Sequence, residues 1–144
     1  MFSENATDQF LKDFHKTPPE DLLRQRNHAT LMSAFATIVA GNFEAAAEYM
    51  SDDVELEIFS PLGFAGSWRG TQAVVGAMRK NFSSVRGQEP TVLGVIGEGN
   101  QLALLLREVG FHIGLNRSYS IRAMQWFSFA DGKIRRVEEI VTEV

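Results

Sequence analysis

Between Tyr119 and Phe129, alternate positions read Tyr119, Ile121, Ala123, Gln125, Phe127 and Phe129, an apolar face with a lone amide in its middle. A buried amide left unpaired costs on the order of 1–3 kcal/mol. Gln125 therefore either orients a ligand carbonyl or hydroxyl or satisfies an internal hydrogen bond. Glu139 stands between Val137 and Val141 at the same two-residue spacing. If those valines point inward, burial strips water from the carboxyl group and raises its proton affinity. That is what a general acid/base working near neutrality requires. The competing reading is an ion pair with Arg107 or Arg135. Glu108 and His112 share a face with Leu102, Leu104 and Leu106, which suggests a polar patch where a pocket opens. Along a regular strand they are roughly 13 Å apart, too far for a dyad unless Gly110 forms a bulge. His112 also lies close to a hairpin, where surface histidines are common.

Composition removes several other chemistries. The chain of 144 residues contains no cysteine, which excludes disulfides, thiolate metal sites and a cysteine nucleophile. Its three histidines, His15, His28 and His112, are too scattered for a metal cluster, and no metal or cofactor is expected. A net charge of -4 disfavours a nucleic-acid partner and an anionic membrane surface. The acidic N-terminus lacks the apolar run of a signal peptide, and no segment approaches membrane-spanning length. These absences point to a cytoplasmic protein.

The elements that must position these groups follow from period and punctuation. Residues 1–16 read as an amphipathic segment with Phe10, Leu11 and Phe14 at helical spacing; residues 17–144 read as a single domain. Thr17, Pro18 and Glu20 have the pattern of a helix start, and Gly41 that of its end. Asn42 caps a short helix, and Thr71 is read as the cap of a later one carrying Val74, Val75, Met78 and Phe82. Val54–Phe59 alternates as a half-buried strand, and Ser67-Trp68-Arg69 allows only a very short one. Thr91–Ile96, Gln101–Phe111, Tyr119–Phe129 and Ile134–Val141 read as strands joined by short turns, hence antiparallel hairpins. Helices followed by a meander mean α+β. Four long strands that twist and curl around helices make a cone with an apolar interior.

Three stretches in this order carry a resemblance: Phe35…Ala40-Gly-Asn-Phe-Glu…Met50-Ser-Asp-Asp-Val-Glu-Leu-Glu, Gly66-Ser-Trp-Arg-Gly70-Thr-Gln-Ala-Val and Phe127-Ser-Phe-Ala-Asp-Gly-Lys-Ile134. From about Leu31 to Val141 the chain resembles the SnoaL-like proteins of the nuclear-transport-factor-2-like, ketosteroid-isomerase-like superfamily. The resemblance implies a cystatin-like cone with an apolar cavity, often dimeric through the outer face of the sheet. Ketosteroid isomerases use an aspartate base, a tyrosine and an acid, where this chain has Ile58, Ala34 and Gln125. An isoleucine takes no proton and an alanine stabilises no enolate, so that mechanism does not transfer. The late aspartate of SnoaL-like cyclases would fall near Thr142, beside Glu143.

Two readings of function remain open at this level. One is a SnoaL-like enzyme doing cofactor-independent acid/base chemistry, of cyclase, isomerase or dehydratase type, on a small, largely apolar carbonyl or hydroxyl compound. Its polar groups would be Gln125, Glu139, Glu108 and His112. The other is a non-catalytic dimeric binding or accessory domain using the same pocket. Expected lining residues are Phe35, Ile58, Phe59, Trp68, Met78 and Phe82 with Tyr119, Ala123, Phe127, Val137 and Val141. Met124 and Trp126, on the opposite sheet face, are large for a solvent surface and fit a homodimer interface.

Overall fold

The computed structural model describes residues 2–15 and 22–144; the expected helix start at Thr17, Pro18 and Glu20 lies outside them. Helix α1 (Glu4–His15) is followed by α2 (Leu22–Val39). The chain leaves α2 through Gly41, whose φ of 80° is a conformation that costs glycine little. There the Gly41 and Asn42 N–H groups donate to Ile38 and Thr37 carbonyls, both at 2.9 Å, satisfying acceptors stranded at the helix end. Asn42 accepts the Ala45 N–H at 3.3 Å and caps α3 (Phe43–Ala46), as its position in the sequence predicts. Thr71 does not cap α4 (Thr71–Ser83). Gly70 holds the cap position at a φ of 88°, where a β-branched residue is strained, and Thr71 becomes the first helical residue.

The strands are β1 (Met50–Phe59), β2 (Gly66–Arg69), β3 (Val85–Glu98), β4 (Gln101–His112), β5 (Arg117–Ala130) and β6 (Lys133–Glu143). They form one sheet in the order β2-β1-β6-β5-β4-β3, antiparallel throughout except where β1 runs parallel to β6. The β5–β6 hairpin turns on Asp131 and Gly132, with φ of 52° and 78°, the two positive angles that a tight two-residue turn demands. The sheet is curled by irregularities in β3 between Arg86 and Glu89 and between Val92 and Gly94. The fold is therefore the α+β arrangement expected, a curved and mainly antiparallel sheet wrapped on its helices.

Helix α2 lies in the concave face and touches both ends of the meander. Its inner side buries Leu31, Ala34 and Ile38. The fully buried Asn27 donates to the Gly99 carbonyl at 3.3 Å and to Asn100 Oδ1 at 3.2 Å, holding the β3–β4 turn. The Thr30 hydroxyl donates to the Gly132 carbonyl at 3.1 Å, holding the β5–β6 turn. Helix α1 packs against β3 and α2, and its Phe10, 1% exposed, belongs to the core. Among the described residues, no helix is long and apolar enough to cross a membrane.

Candidate functional site

The concave face and the helices enclose a cavity of about 180 Å³. Period-two alternation brings one face of each long strand to it. Strand β5 contributes Tyr119, Ile121, Ala123, Gln125 and Phe127; β6 contributes Val137, Glu139 and Val141; β4 contributes Leu106 and Glu108. Phe35 from α2, Ile58 from β1, and Met78 and Phe82 from α4 line it as the sequence suggests. Ala34 lines it too, so the positions matched to the isomerase base and tyrosine are wall, without chemistry.

Gln125 and Glu139 are direct partners across β5 and β6, and Gln125 Nε2 donates to Glu139 Oε2. Neither Arg107 nor Arg135 is the partner of this carboxyl group, and both are exposed. Desolvation pushes the Glu139 pKa up, opposed only by the Gln125 amide. The second oxygen-rich station lies further along the sheet. The Tyr119 hydroxyl donates to Glu108 Oε2 at 2.7 Å, and the Gln88 side chain also hydrogen-bonds this carboxylate. Burial raises the Glu108 pKa to about 7. The Tyr119 bond pulls it down, the Glu139 charge pushes it up, and Gln88 and the positive amino terminus pull it down least. Burial and the adjacent Glu108 charge push the Tyr119 pKa up, which keeps its hydroxyl a donor.

Three expected site residues are elsewhere. His112 does not reach the cavity. Its ring is buried against Phe64, stacked with centroids 5.3 Å apart. Its Nδ1 accepts the Leu115 N–H at 3.1 Å, so Nε2 carries the proton and donates to the Leu62 carbonyl at 3.0 Å. Both nitrogens are occupied in joining two loops. Phe59 is half exposed on the convex face, because it follows the inward Ile58 and successive strand residues point to opposite sides. Trp68 belongs to the edge strand β2, opposite Leu56, and its ring packs over Gly66 instead of entering the cavity. The cyclase-matched Thr142 is exposed, and Glu143 pairs with Arg117 at 2.8 Å on the surface. Among the described residues no group of three or more histidines, aspartates or glutamates is placed to hold a metal.

The structure adds residues that sequence reasoning missed. Gln88 is 4% exposed and lines the cavity, although Gly87-Gln88-Glu89-Pro90 reads as a turn. Phe2 and Phe10 line it from the N-terminal segment. Gly110 carries no bulge; it lies directly opposite Tyr119. A Cβ there would sit 2.7 Å from Tyr119 Oη and 2.8 Å from its ring carbon. Gly110 thus leaves the room in which the phenol reaches Glu108. Gly110→Ala is expected to lower stability by about 1–3 kcal/mol through this overlap. Gly94→Ala, where an added Cβ meets nothing within 4 Å, is expected to be near neutral in the same chemical denaturation series. Equal effects at both positions would show that Tyr119 yields freely.

The profile of the SnoaL-like domain matches residues 31–137. Among solved structures, the chain is similar to a proposed SnoaL-like polyketide cyclase from Jannaschia sp. CCS1, with a TM-score of 0.74 and 16% identity over 87% of this chain and 91% of that one. It is similar to an NTF2-like protein from Burkholderia xenovorans LB400, with a TM-score of 0.72 and 18% identity over 82% and 90% of the two chains. A proposed isomerase from Rhodopseudomonas palustris gives a TM-score of 0.68 and 21% identity over 80% and 88%. No curated protein matches the sequence. At such identities the structural likeness speaks for fold alone. The profile covers most of the chain, and the protein belongs to the SnoaL-like domain family.

Proposed function

We propose that the cavity binds a small, largely apolar molecule and that its glutamates move protons on it without a cofactor. The reaction type is that of a cyclase, isomerase or dehydratase acting on a carbonyl or hydroxyl compound. The observation that carries this reading is that Glu139 and Glu108 both line an apolar cavity, each held by neutral donors and with raised proton affinity. Glu139 has one amide supporting its anion while burial raises its proton affinity, which suits it to take up and hand on a proton. Gln125 fixes that carboxyl group and has a buried Oε1 without a partner, an acceptor ready for a ligand donor. A cavity of roughly 150 Å³ with apolar walls admits benzene. The space here therefore suits about one substituted ring.

The test is solvent-deuterium incorporation into small cyclic ketones and hydroxyketones, followed by NMR. Glu139→Gln is expected to slow exchange by at least about 100-fold while leaving probe binding in place. Unchanged exchange in that variant would clear Glu139 of the role, and exchange by the natural chain no faster than without protein would leave a binding domain, the second reading of the same pocket.

We also propose that the convex sheet face forms a homodimer. Phe59, Ile140, Met124 and Leu105 stand in one cross-strand row over four strands, with Trp126 beside it. Phe59, Ile140, Leu105 and Trp126 are each 40–50% exposed, a contiguous apolar surface that ordinary monomers avoid. Trp126→Glu is expected to shift sedimentation from dimer to monomer, and a dimer indifferent to it would require another face.

A further inference from the structure

Gln88 has no part in the proton transfer proposed above, yet it is 4% exposed and its Oε1 is buried without a hydrogen-bond partner. Its side chain is bonded to Glu108, as is the Tyr119 hydroxyl. Gln125 repeats the pattern, with Nε2 on Glu139 and a buried, unpartnered Oε1. Donors have thus been turned onto the two carboxyl groups, and two amide oxygens of lining residues, Gln88 Oε1 and Gln125 Oε1, stay buried without a hydrogen bond. Among the described residues that line it there is no lysine, arginine or histidine, and Asn81 adds a single further amide.

This inventory selects a ligand. An unpartnered buried carbonyl costs on the order of 1–3 kcal/mol, and two carboxylates in one apolar enclosure each oppose the other's ionisation. A ligand carbonyl or carboxylate brings more acceptors and relieves neither. A hydroxyl brings one donor and no charge. An ammonium group brings three donors and a positive charge that no described lining side chain supplies. The surroundings of Gln88 suit it as well. Phe2 is bridged to Gln88, and its ring lies 5.8 Å from that of Phe10 and 6.0 Å from that of Phe82. Aromatic faces attract a desolvated cation.

We infer that the small, largely apolar molecule taken up by this cavity carries a primary amine, bound as its ammonium ion between Glu108 and the free oxygen of Gln88. Its hydrocarbon body lies toward Phe35, Phe127 and Val141, and Glu139 remains the proton carrier. The inference rests on reading the cavity as a ligand site and is independent of turnover. The groups that act on Glu108 are Tyr119 from β5, Gln88 from β3, Glu139 from β6 and the amino terminus. Helices α1, α2 and α4 turn only apolar side chains and Asn81 toward the cavity.

The test is calorimetric titration of the full chain with benzylamine and with its neutral isostere benzyl alcohol. At about pH 8 benzylamine is expected to bind at least about tenfold more tightly than the alcohol. Toward about pH 6 the preference narrows as Glu108 takes up a proton, and binding heats there depend on the buffer because that proton is expelled. Glu108→Gln removes the preference; should that variant not fold, the pH profile of the natural chain decides alone. An alcohol that binds as tightly as the amine, or a preference unchanged with pH, overturns the inference and leaves the ligand cavity standing. If neither probe binds, the cavity reading falls with it.

Discussion

From about pH 5 to about pH 8 the protein is expected to lose stability, where most folded proteins with paired carboxylates gain it. The sign follows from Glu108. Its pKa is raised in the folded chain from the ordinary 4.5 to about 7. Below 4.5 the group is protonated in both states and contributes no difference. As pH climbs, the unfolded chain ionises first, while the folded chain still holds its proton. The unfolded state is thereby favoured, until the folded pKa is passed and the loss is complete. The shift corresponds to about 3 kcal/mol, or a fall in Tm of about 10 °C for a domain of this size. Burial pushes Glu139 in the same direction. Thermal unfolding of Glu108→Gln against pH should show a flatter profile that meets the natural one at low pH. A natural profile that rises across this interval would mean that Glu108 ionises freely in the folded chain.

Phe10→Ala is expected to cost about 3–5 kcal/mol, the largest loss from any single truncation of the N-terminal segment. The ring is 1% exposed and meets Phe2 and Phe35 edge-on, at 5.8 and 5.4 Å between centroids. Phe35 in turn meets Phe127 at 5.9 Å, so an aromatic chain runs from α1 across the cavity wall to β5. The cost has a ceiling, because α1 can come away once holding it is worth less than freeing it. Hydrogen exchange separates the outcomes. If the ceiling is reached, residues 4–15 lose protection while β4 to β6 keep theirs. A loss below about 1 kcal/mol with protection retained would show that α2 and β3 close over the space unaided.

The parts of the fold that were legible in the sequence are those set by local period. Alternation along β5 and β6 put Gln125 and Glu139 on the cavity side, and short turns at Gly99 and Asp131-Gly132 gave the antiparallel order. Alternation also separates Ile58 from Phe59, a distinction lost when both are counted as wall because both are large and apolar. The remaining differences come from contacts distant in sequence. The partner of His112 is Leu62, 50 positions away, and no spacing announces it. Gln88 is turned inward within a strand whose pairing is irregular between Arg86 and Glu89, and the neighbouring Gly87 and Pro90 signal a loop. The edge position of Trp68 depends on which strand β2 joins, a property of topology and not of its own residues.

The parallel bridge between Phe2 and Gln88 joins the beginning of the chain to a polar wall of the cavity. A molecule that engages the Gln88 oxygen therefore steadies the same strand segment against which the N-terminus rests. Filling of the cavity is therefore expected to favour N-terminal order, and order to favour filling by the same factor. The first helix is then expected to serve as a gauge: its amide protection, read without any knowledge of the chemistry inside, should rise as the cavity fills.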